Sequence, residues 1–242
     1  MPGGFLPYGI PFTTNTRYTV KERHDLLAIL PANFSPKSVL EIGCADGHNL
    51  QFFSKSLNIP FGNSTGVDIC RSTEVKNADM IFHHSSAEEF FAGCLSHYDL
   101  IILSDVLEHI YNPWELLKNA KRNLSSGGVL LISVPNLQNL NYVNGISSGE
   151  FLYQSTGLFD ETHIRFFTKS SLNKYLQLCG YKILQFGWRP DLSLGALRKS
   201  AQQALEKTNL YPIKMAYLTI EISKENIDLF FGQQILVAVT HE

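Results

Sequence analysis

Glu41, Gly43 and Gly47 lie in the stretch VLEIGCADGHN (39–49), where an apolar run ends on an acid and a glycine turn leads into a helix-like segment. Such a turn suits a ligand held at a strand end. Glycine lets the backbone come close where a Cβ would clash, and a helix start presents unpaired N–H groups. A dinucleotide loop needs the pattern GxGxxG, but here Ala45 stands where the middle glycine would be. Glu41 also disfavours a phosphate, which it would repel, and favours an ammonium group. Asp68 closes the next apolar run, GVDI, 21 positions past Gly47. An acid near that distance meets the hydroxyls of a ribose, and a carboxylate can accept from both. The ligand implied is a nucleoside with a ribose and a cationic tail but no phosphate.

A second group could move a proton. His109 follows Glu108 in SDVLEHI, and His163 sits in DETHIRFF. Histidine titrates near neutral pH, which suits a general base. His163 is preferred as the base and His109 is the second candidate. Asp105, Glu108 and His109 stand at i, i+3 and i+4, one face of a helical turn, and offer two carboxylates and an imidazole to a divalent cation. Short acidic clusters are common, so the site assignment carries no metal. Arg165 could meet an anionic group of an acceptor or pair with Asp160 or Glu161.

These residues need a scaffold. Short apolar runs at 38–42, 64–69, 80–83, 98–103 and 128–134 are of strand length, and most are continuously apolar, as strands buried on both faces are. Helix-like segments fall between them at 47–57, 70–78, 86–95 and 113–124, with another at 21–30. The fourth begins Asn112-Pro113, a cap and an N1 proline, and leaves through Gly127-Gly128. Alternating strands and helices predict a mostly parallel sheet covered on both faces. The long aromatic segment 137–167 breaks the pattern and reads as a functional cover or the carrier of a small helix. A helix at 168–179, a strand at 181–188, a helix near 195–206 and a last strand at 233–240 follow.

A nucleoside with a cationic tail describes S-adenosylmethionine, and here the chain resembles a known family. VLEIGCADG, GVDI, SAEEF, YDLIILSDVLEHI and NPWELLKNAKRNLSSGGVLLISVPN, in that order over about 37–136, are similar to the class I S-adenosylmethionine-dependent methyltransferases. GLFDETHIRFFTKSSLNKYLQLCGYKI (157–183) is similar to a subgroup linked to polysaccharide and glycan biosynthesis. The resemblance implies an α/β, Rossmann-like fold with a seven-stranded sheet and a lid-like insertion after the fifth strand. It places Glu41, Gly43, Cys44 and Gly47 at the methionine end of the cofactor. Asp68 would bind the ribose, Ile69, Ser86, Ala87 and Glu88 would lie beside the adenine, and Ser104 would lie near the sulfonium. Ala45 replaces a common glycine, which suits a backbone that is not left-handed there. The acid-x-x-Glu-His spacing is also similar to quinone-type O-methyltransferases, for which a metal has been proposed.

The chain has 242 residues, 44% hydrophobic and 17% charged, with a formal net charge of -2. That fits one folded domain: 1–36 an extension and helix, 37–136 the cofactor core, 137–167 the acceptor or lid segment, 168–242 the C-terminal helices and strands. The charge gives no broad basic face for nucleic acid. No run reaches the ~20 residues of a membrane span. MPGGFLPYGIPF lacks the regions of a signal peptide, and Cys44, Cys70, Cys94 and Cys179 form no CxxC. They read as reduced, small apolar fillers of a cytoplasmic protein. The expected activity is methyl transfer, with O-methylation of a small molecule or sugar precursor first. A quinone or natural-product acceptor is the alternative, and a non-catalytic cofactor-binding partner the different class. Residues 189–232 exceed a simple connection and leave open a pocket cap or a homodimer surface.

Overall fold

The computed structural model describes residues 22–70 and 77–241. The extended leader read at 1–20 and most of the helix read at 70–78 lie outside the described residues. In chain order the elements are α1 (His24–Leu27), β1 (Val39–Ile42), α2 (His48–Ser56), β2 (Ser64–Asp68), β3 (Ile81–His84), α3 (Ala87–Gly93), β4 (Tyr98–Ser104), α4 (Pro113–Arg122) and β5 (Leu124–Pro135). They continue as α5 (Leu140–Ser147), α6 (Lys169–Leu178), β6 (Tyr181–Pro190), α7 (Gly195–Leu205), β7 (Tyr211–Lys214), β8 (Thr219–Ile222), α8 (Ile227–Phe231) and β9 (Gly232–His241).

Seven strands form one sheet in the order β3-β2-β1-β4-β5-β9-β6. The first five pair in parallel, and β9 runs antiparallel to both β5 and β6. Successive side chains of a strand point to opposite faces, so each continuously apolar run feeds two cores. Leu40, Ile42, Ile101 and Leu103 join one core, under α3, α4 and α6. Val39, Leu100 and Ile102 join the other, under α1 and α2. The sheet is therefore dry on both faces, which explains why no strand of its centre alternates with polar residues. At the edge, β3 is largely exposed, although its sequence reads as apolar as its neighbours.

Two local readings are corrected. The helix expected over 21–30 is, among the described residues, a single α-turn, His24–Leu27, after which the backbone tightens: the Ile29 and Leu30 N–H groups donate to the Leu26 and Leu27 carbonyls. α4 does not run on to the glycines: it ends at Arg122 with Asn123 as cap, and Leu124 already pairs with Tyr98. Gly127, at φ 72°, belongs to an irregular stretch of β5 instead.

Segment 137–167 holds α5, as its length suggested. Residues 195–231 build α7, the β7–β8 hairpin and α8. Their buried side chains Ala201, Leu205, Ile213, Ile222, Ile227 and Phe231 share a third core with Leu140 of α5.

Candidate active site

Strand order reverses between β1 and β4, so a crevice opens at their carboxyl ends, where α/β sheets bind ligands. Gly43 and Ser104 both stand at that edge.

The turn after β1 has three alternate positions in the left-handed region, Gly43 (φ 73°), Ala45 (φ 48°) and Gly47 (φ 79°). Ala45 therefore departs from the right-handed backbone expected of it. Its N–H donates to Asp68 Oδ2 at 2.8 Å, a bond that holds the strained residue in place. Neither glycine owes its identity to open space. A Cβ on Gly43 would lie 3.0 Å from Val106, and one on Gly47 would lie 2.5 Å from the Phe82 ring. Cys44 turns its thiol into the protein, against Gly66, so only its backbone faces the crevice.

Glu41 is 2% exposed. Its Oε1 accepts from Asn49 Nδ2 at 2.6 Å, and its Oε2 is buried with no partner. Burial raises its pKa to about 7, against the Asn49 hydrogen bond and the charge of Arg23. An orphaned carboxylate oxygen of this kind fits an ammonium group. Asp68 uses one lone pair of each oxygen on backbone N–H groups, those of Ala45 and Cys70, and keeps others for ribose hydroxyls. Ile69 beside it is 45% exposed, free to lie against a flat base. Ser85 N–H donates to the Asp68 carbonyl, which brings the start of α3 alongside. There Ser86 caps the helix through the Glu89 N–H, and Ala87 is buried in the core.

Sequence reasoning missed Arg23. It is 5% exposed and reaches across the ends of three strands. Its Nη1 donates to Ser104 Oγ (2.6 Å), Asp105 Oδ2 (3.1 Å) and Ser133 Oγ (3.1 Å), and its Nη2 to Gln234 Oε1 (3.0 Å). Asp25 holds the other side of the guanidinium in two hydrogen bonds. Burial opposes the charge, but Asp25, Asp105 and Glu41 outweigh it and the pKa is raised. No spacing announces this residue. The only trace was polar Ser133 and Gln234 at the ends of two apolar strand runs.

Asp105 also differs from its expected place. Its φ is 55°, and its carboxylate accepts from Arg23, Ser133 and Gln234. It does not line up with Glu108 and His109, because residues 107–109 form a 3₁₀ turn rather than an α-helix. His163 of the lid segment takes that position. The His109 and His163 rings lie 4.8 Å apart, and one ligand atom from each of Glu108, His109 and His163 lies within 4.8 Å of the others.

The lid is bonded into this cluster. The Glu108 carbonyl accepts from the N–H groups of Ile164 and Arg165. His109 Nδ1 faces the Thr162 carbonyl at 3.2 Å, and His163 Nδ1 faces the Leu158 carbonyl at 3.0 Å. A carbonyl only accepts, so each Nδ1 carries a proton, and it is Nε2 that bears the lone pair whenever the imidazole is neutral. Burial, then the neighbouring His163, lowers the His109 pKa. The Glu108 carboxylate is buried with neither oxygen partnered, and burial, then Asp105, raises its pKa well above the usual range. Arg165 donates to the Tyr111 carbonyl and lies over the Tyr111 ring. Around the cluster, Phe151, Tyr153, Phe166 and Tyr111 leave aromatic surface exposed.

All four cysteines are free; Cys70 is exposed, not the core filler expected. Among the described residues no helix is long and apolar enough to cross a membrane.

Comparisons with known proteins bear on the family and the fold. The ubiquinone biosynthesis O-methyltransferases of Aromatoleum aromaticum and Hydrogenovibrio crunogenus are 24% and 26% identical, over 62% and 60% of this chain. The match spans 65% and 61% of those relatives, less than two thirds of their length. A SAM-dependent methyltransferase from Archaeoglobus fulgidus superposes with a TM-score of 0.57 at 20% identity, over 85% of this chain and 87% of that one. One from Mesorhizobium loti gives 0.51 at 13% identity, over 88% and 94%. The methyltransferase domain family matches residues 14–186, most of the chain. The chain belongs to that methyltransferase domain family and carries the class I fold of the S-adenosylmethionine-dependent methyltransferases.

Proposed function

We propose that this chain methylates a hydroxyl oxygen of a small-molecule acceptor, and that the acceptor is a hydroxylated aromatic ring of the quinone type. The observation that carries the reading is the pair of imidazoles whose Nε2 lone pairs are left free by carbonyl-bound Nδ1 atoms, beside the crevice at the end of β4. S-adenosylmethionine supplies a methyl group already activated on a sulfonium. The protein then has to align the acceptor and remove its proton.

Each part has a named residue. Glu41 Oε2 meets the ammonium of the cofactor, Asp68 its ribose and Ile69 its base, with Ser86 and Ala87 alongside. Arg23, whose guanidinium is committed to Asp25, Ser104, Asp105, Ser133 and Gln234, fixes the strand ends beneath that end of the cofactor. His163 takes the acceptor's proton at Nε2, and His109 supports it. Phe151, Tyr153, Phe166 and Tyr111 form the wall against which a ring would stack. The two relatives named for ubiquinone biosynthesis support an aromatic acceptor. A sugar or glycan precursor is the second reading; it rests on the resemblance of 157–183 and on the same aromatic wall, which also suits a sugar face.

The test is methyl transfer from labelled S-adenosylmethionine to a panel of catechols, hydroxyquinols and nucleotide sugars. Transfer to the ring hydroxyls is the expected result; transfer only to sugars reverses the order of the two readings. His163→Ala should lower turnover by at least a hundredfold, a typical contribution of a general base. Its affinity for S-adenosylhomocysteine should be unchanged. Undiminished turnover in that variant removes His163 from the role of base.

A further inference from the structure

The insertion between β6 and β9 carries a hairpin that stands apart from the main sheet: β7 and β8 pair only with each other. Lys214 and Thr219 are their last pair, and residues 215–218 close the turn, with the Met215 N–H donating to the Leu218 carbonyl at 2.8 Å. The turn reads Met-Ala-Tyr-Leu. Turns in water are ordinarily built from Gly, Asn, Asp, Pro or Ser, and this one holds none of them. Tyr217 is 79% exposed and Leu218 37%. The tip has a firm base. Ile213 on β7 and Ile222 on β8 are buried in the third core, and Met215 packs against it. The fold therefore holds neighbouring apolar side chains out in water on a fixed support. The run that carries them, 207–220, contains Lys207 and Lys214 and no acid, and both lysines are exposed.

We propose that the tip of the β7–β8 hairpin docks on an anionic lipid surface, with Tyr217 and Leu218 entering at the level of the headgroups and Lys214 meeting lipid phosphates. A tyrosine has an apolar ring and a polar end, which suits it to that boundary. A lysine lays its stem along apolar surface and keeps its charge among the phosphates. A protein partner is served less well. A stable protein interface covers roughly 800 Å² on each side, more than a four-residue tip offers, and it needs a matching pocket, whereas a fluid lipid boundary needs none. The docking is peripheral, since among the described residues no helix is long and apolar enough to cross a membrane. The inference goes beyond the reading of the acceptor and does not rest on it. Because the insertion shares its core with Leu140, docking would hold the start of the lid segment at a set distance from the lipid surface.

The test sediments the full chain with two kinds of vesicle, phosphatidylcholine alone and phosphatidylcholine mixed with phosphatidylglycerol in equal parts. The expected result is cosedimentation with the mixed vesicles, weakened several-fold by high salt and by omission of the anionic lipid. The double variant Tyr217→Ser, Leu218→Ser should bind at least about tenfold more weakly, because two apolar side chains lose their burial. Lys214→Glu should weaken binding several-fold and leave the apolar tip in place. Thermal melts and S-adenosylhomocysteine affinity should be the same in both variants as in the unaltered chain, which shows that they are folded. A folded chain that ignores the mixed vesicles overturns the proposal. So does binding that the double variant leaves unchanged. A dimer in lipid-free solution that the double variant breaks, read by sedimentation velocity, also overturns it, since a second copy would then cover the tip. Failure of methyl transfer with vesicle binding intact would count against the proposed function alone.

Discussion

Glu41 makes the cofactor crevice sensitive to pH. Its carboxyl is buried and its pKa is pushed up to about 7, above the usual value for an unfolded chain. A raised acid is protonated in the fold before it is protonated in the unfolded chain. Below about pH 4.3 both forms carry the proton and burial costs nothing. As pH rises towards 7 the fold loses stability through this residue, on the order of 3 kcal/mol in all. In the proposed reading cofactor binding runs the other way, because an ammonium group at Glu41 needs the ionised carboxylate. Affinity for S-adenosylhomocysteine should therefore be about tenfold weaker at pH 6 than its limit at high pH. Glu41→Gln should bind weakly at both pH 6 and pH 8. Calorimetry at the two values checks this, and a flat wild-type profile would mean that the ammonium lies elsewhere.

At the scale of elements, the start of α3 carries two candidate roles on one residue. Ser86 matches the adenine-side segment of the family, yet its hydroxyl oxygen accepts the Glu89 N–H and the Glu89 carboxylate returns to the Ser86 N–H. Ser86→Ala should lower stability by about 1 kcal/mol, the usual worth of a helix cap. If the cap is its main task, cofactor affinity should change by less than about twofold; urea denaturation and calorimetry separate the two. Much of this scaffold was legible in the sequence. Buried parallel strands advertise themselves as unbroken apolar runs, and β1, β4 and β5 could be placed from them. Asn112-Pro113 marked α4, and the positions of Glu41, Asp68 and Ser104 at or near strand ends could be read from the apolar runs that hold them. Arg23 and the Glu108–His163 contact were not readable. Each depends on tertiary approach between segments with no shared period, 81 positions apart for Arg23 and Ser104. Ala45 misled for a related reason: the Asp68 carboxylate that holds its left-handed backbone comes from the next strand.

Over the whole molecule, the insertion between β6 and β9 is coupled to the lid. It shares a core with Leu140, and the Asn139 and Asn141 side chains both donate to Asp191 Oδ2. The start of the lid segment is thus braced by the insertion. Asp191→Ala should cost at least about 2 kcal/mol, because the hydrogen bonds from Asn139 and Asn141 to Oδ2 and those from the Ser193 N–H and hydroxyl to Oδ1 are all lost. It should raise the KM for the acceptor several-fold and leave S-adenosylhomocysteine affinity unchanged. Steady-state kinetics beside calorimetry tests this; an equal loss in both would mean that the brace serves the core rather than the lid.

The place of β9 has a consequence for how the chain is made. β6 is joined to the sheet only through β9, which lies between it and β5. β6 ends at Pro190 and β9 begins at Gly232. A ribosome adding about 5–20 residues per second therefore completes β6 seconds before its partner exists. During that interval the edge of β5 over 130–135, which β9 later covers, lies open, the kind of surface on which nascent chains stick to one another. The hairpin and helices translated in between are thus the part of the molecule that emerges while the sheet is still unsealed.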